Sequence, residues 1–307
     1  MPLSTKLNQP SKIAIIGNGA IGNLLAFRCH QLTYDYAVVT RDNQKIELDV
    51  SDIDNRQYRF HLPVGSLNSL AESDIIIIPI KAYQVADFIE QAHSYIKPWQ
   101  TIVLLHNGMG TIERVRQQLP HNNLLAATTT YGAFKPQVDQ LAIKGCGETQ
   151  LGWIQCNIAE HPVEIQNMLS ALLPPSHWHN DILFPLWLKL AINAAINPLS
   201  ALNKVKNGEL AQAKYQIQIA AICDEITLIM QHLGFELESD RLLNAVKHVI
   251  QQTSDNYSSM NRDLQAKRKT EINFINGYIV EQAARFNLPC PVNLALCREI
   301  RQREVST

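Results

Sequence analysis

The stretch IAIIGNGAIGNLLAF (Ile13–Phe27) decides how the first half of the chain is read. It opens with a short β-branched run, meets Gly17-x-Gly19-x-x-Gly22, and continues as a helical pattern from Ile21 to about Leu32. A buried-type strand feeding a glycine-rich turn and then a helix is the context in which this glycine spacing binds a dinucleotide. Gly17 makes the tight turn, Gly19 lets a pyrophosphate approach the backbone, and Gly22 lets helix and strand pack closely. The backbone of Gly17, Asn18, Gly19, Ala20, Ile21 and Gly22, at a helix N-terminus, offers N–H groups and the positive end of the dipole to phosphates. Without that context the same glycines are an ordinary strand–helix turn.

Outward from this loop the grammar repeats. YAVVTR, SDIIIIPIK, TIVLLHNG and LLAATTTYG are nearly continuous apolar runs separated by helical stretches. Such runs suit strands covered on both faces, so the fold class is α/β with a doubly wound, parallel Rossmann-type sheet. KGCGETQLGW reads as a peripheral strand or hairpin, and LLPPSHWHND breaks the pattern with a proline pair. The domain boundary falls near residue 180, giving a dinucleotide-binding domain over 1–180 and an all-helical one over 181–307. Long helices are predicted over Phe184–Leu202, Glu209–Leu233, Ser239–Thr253 and Lys269–Asn287, with Gly234 and Pro289 as stops.

The nucleotide is chosen at the end of the second strand. NAD-selective folds place Asp or Glu there to hold the ribose 2′-hydroxyl. YAVVTRDN ends in Thr40 and Arg41, and an arginine grips a 2′-phosphate in a bidentate fork, which favours NADP. Asp42 is the competing reading, an acidic residue shifted by one.

Bulk composition narrows the rest. With 307 residues, 46% apolar and 18% charged, the chain buries a substantial core. A formal net charge of −1 gives no basic excess for a nucleic-acid partner. The six cysteines show no C-x-x-C spacing, MPLSTKLNQPSK lacks the apolar run of a signal peptide, and no apolar run is long enough for a membrane span. A cytoplasmic protein without a membrane partner is expected, with monomer and homodimer both open.

The second informative stretch is LWLKLAINAAINPLSAL (Leu186–Leu202). Lys189, Asn193 and Asn197 recur every four residues in an otherwise apolar helix. At about 100° per residue each step lands about 40° from the last, so the three form one slanting stripe. A lone lysine there is most simply one whose stem lies on the core while its head reaches water. Two asparagines on the same stripe, downstream of a nucleotide fold, favour an active site. Pro198 removes one helical N–H, so the helix kinks or a carbonyl is freed.

Taken together, GNGAIG, IKAYQV, HNGMGTIE, TTTYGA, LWLKLAINAAINPLSAL, KNGEL and SSMNRDLQAKRKTEINFINGY resemble the 2-dehydropantoate 2-reductase (ketopantoate reductase) family. The likeness runs from residue 17 to 278 in order, and finds little to match between Lys144 and His179. It implies NADPH-dependent reduction of 2-dehydropantoate in pantothenate biosynthesis. By that resemblance Lys189 is the catalytic proton donor and Glu271 is its neighbour in the catalytic cleft. Asn107, Lys189, Asn193, Asn197, Asn207 and Ser259 bind the substrate. Gly17 to Gly22, Arg41, Lys81, Asn107, Ala133 and Glu271 bind the cofactor.

Each position also has a plainer reading. Glu271 pairs with Lys267 at i,i+4, or lies in the first turn of a helix capped by Thr270. Ser258 and Ser259 are helix caps, and Asn107 is a turn-forming Asn-Gly. His177–His179 forms a polar interdomain link rather than a metal site, since no further ligands cluster nearby, and Asp224 and Glu225 form a solvated edge. A reductase of another 2-oxo acid with the same architecture, or a non-enzymatic NADP sensor that needs the glycines but not Lys189, are the alternative functions.

Overall fold

Runs of β-branched residues buried along their whole length build the centre of the first half. The structure, a computed structural model, describes residues 11–41, 44–157 and 163–305. It divides into two compact units, Met1–His106 with Thr111–Ile182, and Asn107–Gly110 with Leu183–Thr307. Among the described residues no helix is long and apolar enough to cross a membrane.

The strands of the first unit are β1 (Ile13–Ile16), β2 (Tyr36–Val39), β3 (Glu47–Ser51), β4 (Gln57–His61), β5 (Val64–Gly65), β6 (Ile75–Ile78), β7 (Thr101–Leu105), β8 (Asn123–Thr129), β9 (Gly132–Phe134), β10 (Gln140–Gly145), β11 (Thr149–Gln155) and β12 (Ser176–His179). Eight of them form one sheet in the order β12-β11-β8-β7-β6-β1-β2-β5. From β5 through β8 every pairing is parallel, and Ile13 of β1 lies between Tyr36 and Ile75. The chain winds outward from β1 in both directions, so β1 sits at the point where an open parallel sheet collects ligands. KGCGETQLGW supplies part of β11, which runs antiparallel to β8 inside the sheet and not at its rim. The rim is β12, so His177–His179 is an edge strand and not a link.

The helices α1 (Ala20–Gln31), α2 (Ala82–Ala92), α3 (Ile112–Gln118) and α4 (Val163–Leu172) complete this unit. α1 ends without glycine, because Thr33 adopts the positive φ of 55° that a helix stop requires. A second sheet, β4-β3-β10-β9, was not anticipated. β3 and β4 alternate more and less buried residues, and Leu48, Val50, Phe60, Leu141 and Ile143 join the core beside α1. Phe27 of α1 meets the rings of Tyr58 and Phe60 at 5.0 and 6.2 Å.

The second unit holds α5 (Leu183–Asn203), α6 (Ala213–His232), α7 (Ser239–Gln252), α8 (Ser259–Gln265), α9 (Asn276–Arg285) and α10 (Pro291–Val305). Two predicted helices are broken. Glu209–Leu233 starts as a 3-10 turn, Asn207–Ala211, before α6. Lys269–Asn287 is a 3-10 turn, Ile272–Phe274, followed by α9. Apolar periodicity bridges such breaks because it is insensitive to a single residue leaving helical geometry, as Ile275 does at φ −108° and ψ −94°. α10 escaped notice because only Asn293, Leu296, Cys297 and Ile300 of its 15 residues are buried. Glu225 is not a solvated edge. Its carboxylate accepts from the backbone N–H of Val292 (2.7 Å) and Asn293 (3.0 Å) and so caps α10.

Candidate active site

The glycine loop has the geometry a dinucleotide needs. Gly17 has φ +82°, and its N–H donates to the Val39 carbonyl at 2.8 Å, closing the turn onto β2. A Cβ on Gly22 would lie 2.2 Å from the Gly17 carbonyl oxygen, whereas one on Gly19 would meet no atom within 4 Å. Gly22 is therefore fixed by helix–strand contact, and Gly19 by open space in front of the loop. Gly19 is also the N-cap of α1 and makes no side-chain cap bond, so the first N–H groups of the helix keep their capacity for an anion.

The other first-unit positions lie on or next to β2, α2 and β9. Arg41 is exposed, two residues beyond β2. Asp42, its rival, lies outside the described residues. Lys81 is the N-cap residue of α2, shortly after the end of β6. Ala133 is the middle residue of β9, which packs on α1. Lys135, which sequence reasoning missed, places its ammonium on the loop itself, donating to the Asn18 carbonyl at 2.9 Å. Burial lowers the Lys135 pKa and Asp139 acts to raise it. Its separation of 117 residues from Asn18 leaves no local pattern to find it by.

In the second unit the polar stripe is real. Lys189 and Asn193 are half-buried on α5 and Asn197 is buried. Burial lowers the Lys189 ammonium from 10.5 to about 8, while the Glu271 carboxylate acts in the opposite direction. Glu271 is 4% exposed, so the solvated pairing with Lys267 is ruled out as its setting. Its segment is held by Thr270, whose N–H donates to Glu304 at 2.6 Å and whose hydroxyl accepts from the Ile272 N–H at 3.2 Å.

The C-terminal half of α5 is tied to the start of α8. Ser258 caps α8, accepting from the Asn261 N–H at 3.1 Å, and the Ser200 hydroxyl donates to it at 2.7 Å. The Asn261 amide donates to the carbonyls of Ser200 and Val205 at 2.8 and 3.0 Å. Ser258 is thus the structural serine. Ser259, the first residue of α8, is exposed and does not cap. Asn207 is buried, with its amide nitrogen donating to Thr253 at 3.0 Å. Its Oδ1 has no hydrogen-bond partner among the described residues, which suits a ligand hydroxyl.

Asn107 belongs to this unit by contact, not by sequence. The Met109 N–H donates to the Phe274 carbonyl at 2.8 Å, three residues after Glu271. Gly108 has φ +84°, and a Cβ there would lie 2.7 Å from the same carbonyl. The HNGMG segment is glycine-rich so that Asn107 can be laid against the Glu271 segment. The second unit therefore gathers Asn107, Lys189, Asn193, Asn197, Asn207, Ser259 and Glu271, and the first gathers the glycine loop with Arg41, Lys81 and Ala133. Within the second unit, a lysine beside a carboxylate and among amides is a set of groups able to hold and donate a proton. Within the first, a glycine loop at a helix N-terminus is able to hold an anion.

Comparison with known proteins agrees with this division. The family model described as "Ketopantoate reductase PanE/ApbA" matches residues 13–155, and "Ketopantoate reductase PanE/ApbA C terminal" matches 181–304. A 2-dehydropantoate 2-reductase of Vibrio cholerae is 35% identical over 295 residues, 96% of this chain and 98% of that protein. One from Archaeoglobus fulgidus is 30% identical over 298 residues, 94% of this chain and 97% of that one. Among solved structures, D-mandelate dehydrogenase with NADH and anilino(oxo)acetate superposes with a TM-score of 0.88 at 21% identity, covering 96% of this chain and 99% of that one. A PanE/ApbA family ketopantoate reductase from Ralstonia eutropha gives 0.85 at 19%, with the same coverage.

Proposed function

The chain belongs to the ketopantoate reductase family of oxidoreductases, and from that premise we propose that it reduces 2-dehydropantoate to pantoate with NADPH, Lys189 being the general acid. The observation that carries this reading is a half-buried lysine beside a buried glutamate, on one helix face with Asn193 and Asn197.

A reduced nicotinamide dinucleotide, when bound, would supply the hydride for the carbonyl carbon. The glycine loop and the α1 N-terminus would hold its pyrophosphate, and Arg41 and Lys81 would hold its more distant polar groups. Lys189 gives its Nζ proton to the carbonyl oxygen as negative charge develops there, and its positive charge stabilises that oxygen beforehand. Desolvation makes the proton easier to release near neutral pH. Glu271 limits that effect and favours the charged ammonium. Asn193, Asn197 and Ser259 fix the carboxylate and hydroxyl of the acid, and Asn207 offers its free Oδ1 as an acceptor.

The test is steady-state NADPH oxidation with a panel of 2-oxo acids, repeated with NADH. Ketopantoate should give the highest kcat/KM, and NADPH should outperform NADH by tenfold or more. No preference among the acids would remove the substrate from the reading, and parity between the nucleotides would remove the role of Arg41.

A further inference from the structure

Pro198 lies inside α5 and has no N–H, so the Ala194 carbonyl four residues earlier has no backbone donor in the helix. That carbonyl is answered from another helix, where the Asn276 amide nitrogen donates to it at 3.0 Å. The second N–H of the same amide donates to Asn293 Oδ1 at 2.9 Å. The Asn293 amide in turn donates to Glu225 at 2.7 Å. The series runs from α6 through α10 and α9 to α5, and Asn276 and Asn293 are fully buried.

The acceptor side of Asn276 is not satisfied, since its Oδ1 has no partner among the described residues. A buried orphan carbonyl is unfavourable, so the residue is held there for its two donors. Only an amide supplies both at that length. The turn it completes contains Asn197 and begins next to Asn193. Asn276 also lies five residues beyond Glu271, so one side chain joins the Glu271 segment to the helix that bears Lys189. We propose that Asn276 is a positioning residue, which closes the turn opened by Pro198 and, by tying that turn to the Glu271 segment, sets the placement of Asn193 and Asn197 and the registration of Lys189 against Glu271.

This inference rests on the functional reading above for its kinetic arm only. The experiment is a cycle in the full chain of Asn276→Ala, Pro198→Ala and the double variant, with Tm and with KM for ketopantoate and NADPH read separately. Asn276→Ala should lower Tm and raise KM for ketopantoate at least tenfold while moving KM for NADPH less than twofold. Adding Pro198→Ala returns a backbone N–H to the Ala194 carbonyl, so Tm should recover while KM for ketopantoate stays high. If Asn276→Ala does not accumulate as folded protein, its recovery by Pro198→Ala is the expected result and the absence of recovery overturns the proposal. Additive Tm changes would show that the two residues do not share the carbonyl, and an unchanged ketopantoate KM would reduce Asn276 to a purely structural role. A wild-type chain that does not turn over ketopantoate would count against the functional reading alone, because the Tm cycle needs no substrate.

Discussion

At Lys189 two influences oppose each other, burial favouring the neutral amine and Glu271 favouring the ammonium. A general acid must be protonated to act, so kcat/KM for reduction should fall about tenfold per pH unit above about 8, and the reverse oxidation should gain over the same range. Lys189→Ala should lower kcat about 10²- to 10⁴-fold with a smaller change in NADPH KM. A pH profile with no descending limb between 7 and 10, or an alanine variant as fast as wild type, would dismiss lysine as the acid. The stripe was legible because helical geometry fixes the relation of residues four apart. Lys135 and Asn276 were not legible as partners, because each acts on a backbone carbonyl far away in sequence, 117 and 82 residues respectively.

The β1–α1 turn shows how an element divides its work between stability and binding. Gly22→Ala would put a methyl against the Gly17 carbonyl oxygen and must push α1 away from β1, costing stability on the order of 1–3 kcal/mol. Gly19→Ala meets nothing in the protein, so Tm should hold while KM for NADPH rises. Denaturant melts and nucleotide titration of the two variants check this, and equal effects on both quantities would contradict it. The strand and helix of this element were read correctly because both periods are local. The second sheet was not, since β3 and β10 are joined by pairing across about 90 residues that no short window sees.

Over the whole molecule, buried ionisable groups set an alkaline limit. Cys29 and Cys223 are pushed by burial from 9.0 up to about 12, and Cys297 to about 11. Groups whose folded pKa is raised contribute stability that is full below pH 9 and lost as pH climbs toward 11–12. Lys189 has the opposite sign. Its folded pKa is lowered, so its penalty fades between about 8 and 10.5. Three thiols outweigh one lysine, and Tm should decline from pH 9 to 11. Cys29→Ala should flatten that slope whatever it does to Tm at neutral pH. A Tm that rises across this range would mean the thiols are not the governing groups.

The short passage Asn107–Gly110 carries a consequence for recombination. It is encoded in the first half of the chain but completes the second unit, where Gly108 lies against the Phe274 carbonyl. A crossover near residue 182 between two relatives would give the helical half a foreign Asn107 loop. Working chimeras should therefore inherit 107–110 and 183–305 from the same parent, which makes these two discontinuous stretches a single heritable block.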